Sequence, residues 1–247
     1  MNHLDKLAML ISASCHDLGH DGFTNSYHTN TITERAINSN DVSIQETFHA
    51  SELFRILTNK KTNFLDGLNR IELLHFRKRS IQLILATDMS HHNSKLSMVK
   101  SLIQLHKFTD SKQILNWIED GGESAKGGDQ QYNLKIFTNQ QIIMDIIIHT
   151  ADVSQQCRPF DLAHKWTYLL FEEFFIQGDI EKDQDLPISM LCDRKKTNVA
   201  ASQPGFIDFV VMPLLQVVST FVPHVSAAAD GGCLHNLKKN RERWLSY

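Results

Sequence analysis

Apolar residues recur along the chain in steps of three and four, the spacing that lines up side chains on one face of a helix. Ile44, Phe48, Leu53, Phe54 and Leu57 make one such stripe, and Ile81, Ile84, Leu85 and Met89 another. A third runs through Leu162, Trp166, Leu169, Leu170 and Phe174, and a fourth through Phe206, Val210, Leu214, Val217, Val218 and Phe221. Near the start, Leu7, Leu10, Ile11 and Ser14 predict the buried face of a helix that carries His16 and Asp17. No stretch alternates cleanly between apolar and polar, and no hairpin turn sits between such stretches, so no sheet is expected. The fold class is all-α.

Turn-forming residues punctuate the stripes. Gly19, Asp21 and Gly22 end the first helix, a loop is expected over Gly22–Thr33, and Thr33 with Glu34 opens the next helix. Asn59–Asn63 and the Asp66-Gly67 pair mark further turns. Asp120–Gln131, with Gly121, Gly122, Gly127 and Gly128, reads as a surface loop within one helical domain spanning residues 1–247. A second loop is expected over Gly178–Arg194, which contains Pro187.

Composition narrows the classes of function. At 247 residues, 42% hydrophobic and 21% charged, the chain is an ordinary folded protein. A net charge of −3 gives no basic footprint for nucleic acid. The cysteines (Cys15, Cys157, Cys192 and Cys233) form no CxxC pair, which suits a reducing cytosol and a cytoplasmic protein. No transmembrane segment is expected: Asp145 breaks Ile142–Ile148, and Phe209–Val222 carries Pro213 and falls short of the roughly 20 residues a spanning helix needs. MNHLDKLAMLISAS has the outline of a signal peptide, but Asp5 spoils its charged region and His16 and Asp17 follow in the same helical phase. Thirteen histidines are an excess that directs attention to metal ligands and acid–base groups.

The densest chemistry is CHDLGHDGFTN, Cys15 to Asn25. His16 and His20 are four apart and would share a helix face, with Asp17 about 100° round from His16. An imidazole and an adjacent carboxylate can both reach a cation lying between them; imidazole suits zinc or iron, and the carboxylate can bridge to a harder ion such as magnesium or manganese. Taken alone, two histidines at this spacing also arise by chance on a helix surface. Asp152, at the end of HTAD, either pairs with Arg158 or a histidine or serves as the remote carboxylate of the same site, with Asp145 a weaker competitor. In LATDMSHH, Thr87 and Asp88 either orient water or cap a helix.

Together these clusters resemble the catalytic domain of class I 3′,5′-cyclic nucleotide phosphodiesterases, within the HD phosphohydrolase superfamily. HDLGHDGFTN is similar to that family's HDxxHxGxxN. TERAINSND with Glu46 and His49, LATDMSHH, HTADVSQ, WTYLLFEEFFIQGD, LCDR and SQPGFIDF follow in the family's order. The resemblance implies a multi-helix HD-type domain and two divalent cations, Zn²⁺ and Mg²⁺ or Mn²⁺. His16, Asp17 and Asp152 match metal ligands, with Asp17 shared by both ions. His20, Glu34 and Thr87 match positions that hold water or support the site. Gln203 matches the glutamine that hydrogen-bonds the purine, and Phe206 with Leu170 matches the apolar clamp on the base. Without the resemblance, Phe206 and Leu170 read as core and Gln203 as surface. Gln155 stands at the base-pocket edge where the family usually has Asn, and Gln156 where it has Pro.

The implied reaction is hydrolysis of cAMP, cGMP or both to the 5′-monophosphate, by attack of a metal-bridged hydroxide on phosphorus, in a protein able to form homodimers. One motif is absent: the family's HNxxHAxDV, which carries the general-acid histidine and a further metal ligand, occurs nowhere in these residues, and only His3 precedes His16. The sequence therefore reads as an N-terminally truncated domain or partial gene model, and little turnover is expected of it alone. Two rivals remain: a non-catalytic protein that binds a nucleotide or partner through a decayed site, and another HD-family metal-dependent hydrolase. The first is favoured by the missing motif, whereas the second has no need of SQPGFIDF.

Overall fold

The computed structural model describes residues 1–108, 110–120, 134–225 and 232–247, and among them all regular structure is helical. Most of the glycine-rich stretch expected as a loop over 120–131 lies outside the described residues. In chain order the α-helices are α1 (His3–Cys15), α2 (Asn25–Asn30), α3 (Glu34–Ser39), α4 (Ile44–Thr58), α5 (Arg70–Leu85) and α6 (His92–His106). They continue with α7 (Ser111–Asp120), α8 (Leu134–Asp152), α9 (Phe160–Asp183), α10 (Val199–Phe206), α11 (Met212–Phe221) and α12 (Cys233–Leu245). The chain divides into two compact units, one of Met1–Asp88 with His164–Ser202, the other of Met89–Ala163 with Gln203–Tyr247.

In the first unit, α1 packs on α5 and α4 around Ala8, Ala50, Leu53, Phe54, Leu57, Leu65, Phe76 and Ile84. The inward face of α1 matches the predicted one in part, for Leu7 and Ile11 pack against this core. Asp5, Ala8 and Ser12 are buried, whereas Leu10 is 67% exposed and Ser14 is exposed. Small residues let the helices approach closely, and the Ser12 hydroxyl donates to the Ser80 carbonyl at 3.5 Å. Polar pairing turns Asp5 inward as well: its Oδ1 accepts from His75 Nε2 at 2.7 Å and from Arg79 Nε at 3.0 Å.

Burial works against ionisation of Asp5, yet the His75 hydrogen bond, the Arg79 charge and the Asn2 backbone N–H together hold its carboxyl below 3.8. A carboxylate depressed in the folded state contributes stability above its unfolded pKa and loses it as the pH falls through the lower folded value. Replacing Arg79 with Ala strands a buried carboxylate, and we expect a loss of about 3–5 kcal/mol, read from the urea midpoint at neutral pH. The difference between Arg79→Ala and the parent should shrink as the pH is lowered below 3.8.

A short helix, α2, occupies part of the expected Gly22–Thr33 loop, capped by the Thr24 hydroxyl. The predicted opening at Thr33 is present, for its side chain accepts from Ala36 N. The long helix α9 runs through Gly178 to Asp183, six residues into the expected second loop. A Cβ at Gly178 would lie 2.0 Å from the Cys192 carbonyl oxygen, so glycine is what lets the following segment lie against the helix. Glu181, buried beside it, accepts from Gln177 Nε2 at 2.8 Å and from Ser189 N at 2.7 Å. This packing selects Ala163, Thr167, Phe171, Gln177 and Glu181 as the buried positions. They lie one residue step, about 100°, from the apolar stripe predicted as core. Leu162, Trp166, Leu169 and Leu170 are exposed, Trp166 by 60%.

In the second unit, Leu96 and Val99 of α6, Ile146 of α8 and Leu214, Val217 and Val218 of α11 form the core. Asp145, on the apolar face of α8, is paired with Lys95 at 3.0 Å. The fourth stripe is broken in phase by a π-helical turn, Ile207–Val211, where Met212 N–H bonds to Ile207 O. Pro213 has no N–H to donate, and a wider turn before it absorbs the missing bond. Helix therefore continues through both prolines over Val199–Phe221, 23 residues that by length and composition are long enough to cross a membrane. The apolar stretch Phe209–Val222 had predicted a shorter element. Within this run Ile207, Val211, Leu214, Leu215, Val217 and Val218 are buried in the protein.

Candidate active site

The first unit gathers one group of candidate side chains at the end of α1. The helix stops at Cys15, and the turn bonds Leu18 N→Cys15 O and His20 N→Asp17 O replace helical ones. His16 and His20 thus do not share a helix face as predicted. Gly22, at φ +84°, takes a left-handed conformation that side-chain-bearing residues rarely adopt. The loop that follows is pinned to the start of α4: Asn25 Oδ1 accepts from Gln45 N at 2.9 Å, and Asn25 Nδ2 donates to Glu46 at 2.9 Å. Gln45 Nε2 donates to Asp21 and to the Phe23 carbonyl, both at 2.7 Å.

These bonds determine the tautomers. His16 Nδ1 faces the Ala13 carbonyl at 2.9 Å and His49 Nδ1 faces the Leu18 carbonyl at 2.8 Å. A carbonyl only accepts, so both rings donate from Nδ1 and, when neutral, carry their lone pair on Nε2. Those Nε2 atoms face the Asp17 carboxylate, at 3.3 Å from His16 and 3.9 Å from His49. His20 has the opposite arrangement: its Nδ1 accepts from Gly22 N at 3.0 Å, leaving the proton on Nε2, and its ring stacks on His49.

Converging lone pairs repel unless a proton or a cation lies between them. When His16 is protonated on Nε2 as well, its hydrogen bond to Asp17 holds that carboxyl below the usual range, against burial and with help from the His16, His20 and His49 charges; the neutral ring makes no such bond. Burial pushes the His49 imidazole down, favouring its neutral form. The His16 imidazole nitrogen and the Asp17 carboxylate, 3.3 Å apart, match the donor chemistry of zinc and related divalent ions.

Around this group stand further polar residues. Glu46 is buried enough that its carboxyl is raised, with the Asp88 and Asp17 charges adding to the rise and the Asn25 amide opposing it. Thr87 is buried, and its hydroxyl donates to the Ile84 carbonyl at 2.7 Å, the helix-end role foreseen as one alternative. Asp88 accepts from Ser43 Oγ at 2.6 Å. Glu34 stands exposed in the first turn of α3. The carboxylate influenced by Asp17 and Asp88 is Glu46, which sequence reasoning quoted without assigning it a role, as it did His49. Their signal was the three-residue spacing that puts both on one face of α4.

In the second unit, Asp152 is the last residue of α8 and exposed. Gln155 is half-buried on the 3₁₀ turn Ser154–Cys157. Gln203, read from the residues alone as a surface position, is buried, and its Oε1 accepts from Gln156 Nε2 at 2.9 Å. Phe206 is half-buried at the end of α10. Leu170 belongs to the first unit, exposed on α9.

The described residues are helical throughout and carry a histidine–aspartate cluster of the kind that the motifs resembling metal-dependent phosphohydrolases led us to expect. The chain belongs to the 3′,5′-cyclic nucleotide phosphodiesterase family, whose sequence model matches residues 1–231. It is 35% identical over 244 residues to the probable 3′,5′-cyclic-AMP phosphodiesterase pde-4 of Caenorhabditis elegans, covering 98% of this chain and 33% of that protein. It is 33% identical over 247 residues to the 3′,5′-cyclic-nucleotide phosphodiesterase regA of Dictyostelium discoideum, covering 100% of this chain and 28% of that one. The phosphodiesterase domain of the RhoPDE fusion protein from the choanoflagellate Salpingoeca rosetta superposes with a TM-score of 0.82 at 28% identity, over 100% of this chain and 69% of that one. The chain thus spans about a third or less of the length of these curated relatives.

Proposed function

We propose that this chain takes part in hydrolysis of 3′,5′-cyclic nucleotides to nucleoside 5′-monophosphates. The observation that carries the reading is the pinned pair of imidazoles facing Asp17, embedded in a chain of this family. The family is metal-dependent, and His16, Asp17 and Asp152 are the residues proposed to hold two divalent cations, Zn²⁺ with Mg²⁺ or Mn²⁺. When bound, such ions lower the pKa of water and draw charge from phosphate oxygens.

The chain's own residues do the positioning. His20, with its proton on Nε2, is a donor to a water or phosphate oxygen, and Glu46 and Thr87 support the hydration around it. Gln203 reads the edge of the purine, with Phe206 and Leu170 on its faces and Gln155 at the pocket rim. Water attacks phosphorus, the bond to the 3′ oxygen breaks, and that oxygen takes up a proton. In the family pattern the proton comes from the histidine of HNxxHAxDV, which these 247 residues do not contain. The four free cysteines accord with a reducing, cytoplasmic setting.

Calorimetric titration tests the reading without requiring turnover. With Zn²⁺ and Mg²⁺ present, the polypeptide should bind cAMP or cGMP, and Gln203→Ala should weaken that binding by about tenfold, the worth of a hydrogen bond to the base. Absence of nucleotide binding, or release of phosphate from nucleoside monophosphates instead, would favour another member of the HD superfamily.

A further inference from the structure

One face of α12 is laid along the 3₁₀ turn Ser154–Cys157 in the second unit. Cys233, Asn236, Asn240 and Trp244 follow one another at steps of three, four and four, so they share that face. The contacts advance along the turn as the helix is followed toward its start. Trp244 Nε1 donates to Gln156 Oε1 at 3.0 Å, and Asn240 Nδ2 to the Gln156 and Arg158 carbonyls at 2.7 and 2.8 Å. Asn236 Nδ2 then donates to the Cys157 carbonyl at 3.0 Å. Cys233 is the next member of this row, in the first turn of α12, and side chains on a helix lean toward its start. The row therefore brings the Cys233 thiol to that of Cys157. Burial pushes the Cys157 thiol up to about 12, and the charge of Cys233 adds to the rise, so the two sulfurs are near neighbours. Both are free thiols of the second unit, whereas Cys15 and Cys192 belong to the first.

We propose that Cys157 and Cys233 form a thiol pair that hydrogen peroxide converts to a disulfide, joining the 3₁₀ turn covalently to the start of α12. Cys233 is half-buried and open to a small oxidant, whereas Cys157 is 4% exposed. Cys233 therefore reacts first. Its thiolate sulfur attacks one peroxide oxygen, the O–O bond breaks, and the departing hydroxide takes up a proton to become water. As a sulfenic acid, Cys233 no longer carries the negative charge that opposed ionisation of Cys157. The Cys157 sulfur then attacks the Cys233 sulfur, the S–O bond breaks, and hydroxide leaves with the Cys157 proton as a second water. Two thiols and one peroxide give one disulfide and two waters; the sulfurs lose two electrons and the peroxide gains them. In reducing surroundings the pair rests as thiols, and exchange with another thiol restores it after oxidation. The bond would close residues 157–233 into a loop long enough to restrict the unfolded chain.

Peptide mapping without reduction tests this on the folded polypeptide, treated with equimolar hydrogen peroxide and then alkylated. A linked pair of peptides carrying Cys157 and Cys233 should appear in the monomer and vanish on treatment with dithiothreitol. With the link, the melting temperature should rise by roughly 5–15 °C, the effect of closing a loop of this length. Cys233→Ser should leave Cys157 reduced and remove the rise. Cys157→Ser should leave Cys233 as a sulfenic acid that dimedone traps. Because Cys157 is buried, Cys233→Ser carries the test if Cys157→Ser fails to fold. Dimedone labelling of Cys233 in the parent with no linked peptide would overturn the inference, as would a Cys233 that peroxide leaves untouched. Linkage of either cysteine to Cys15 or Cys192 instead, or an equal rise in melting temperature in folded Cys233→Ser, would overturn it too.

Discussion

Asp17→Ala is expected to lower divalent-cation affinity by more than about 100-fold, because loss of a group that merely supports a ligand already costs about 10–100-fold. The physical reason lies in what surrounds it. His16 and His49 both spend their Nδ1 protons on backbone carbonyls and direct Nε2 at the Asp17 oxygens. Without the carboxylate, the His16 imidazole loses the anionic partner with which it would share a cation. Equilibrium dialysis against Zn²⁺ with metal analysis measures the effect. His49→Ala, which removes a ring 3.9 Å from Asp17, should fall in the smaller 10–100-fold class. Replacing the two candidate glutamates separates them: Glu46→Gln should weaken metal retention, and Glu34→Gln, on an exposed helix start, should not. Undiminished zinc binding by Asp17→Ala would place the metal elsewhere.

The second large effect concerns the leaving group. The 247-residue polypeptide should show little or no hydrolysis of cAMP or cGMP, because nothing in it matches the family's HNxxHAxDV histidine. Joining it to a segment that carries this motif should raise the rate by roughly 10²–10⁴, the usual contribution of a general acid. The 3′ oxygen is a poor leaving group unless protonated, so the gain should appear in kcat and vanish when the motif's histidine is replaced by Ala. A robust rate from the unjoined polypeptide would mean that another group donates the proton.

Some features were legible in the residues because they are local. Steps of three and four along the chain specify helices in most places where they occur, and Thr33 announces a helix start through a side chain that reaches only three residues on. The motif order from His16 to Phe209 carried the family. Other features were not legible. The stripe Leu162–Phe174 has the right period but faces outward in part, since Gly178 and the Glu181 network turn a neighbouring face inward. Periodicity reports that a helix has an apolar side and is silent about which side its neighbours cover.

By itself, then, the sequence determined an all-helical chain of the cyclic nucleotide phosphodiesterase family with a histidine–aspartate cluster after its first helix. Only tertiary structure decided which ring nitrogen of His16, His20 and His49 carries the proton, that Glu46 rather than Glu34 shares the electrostatic surroundings of Asp17, and that Gln203 is buried against Gln156. Three of these depend on partners distant in sequence, Leu18 for His49, Asn25 for Glu46, and Trp244, 88 residues from Gln156, for the Gln156–Gln203 amide pair, whereas His16 and His20 take theirs from the turn itself, at Ala13 and Gly22. Hydrogen-bond direction is a property of two groups brought together, and the second group is supplied by the fold.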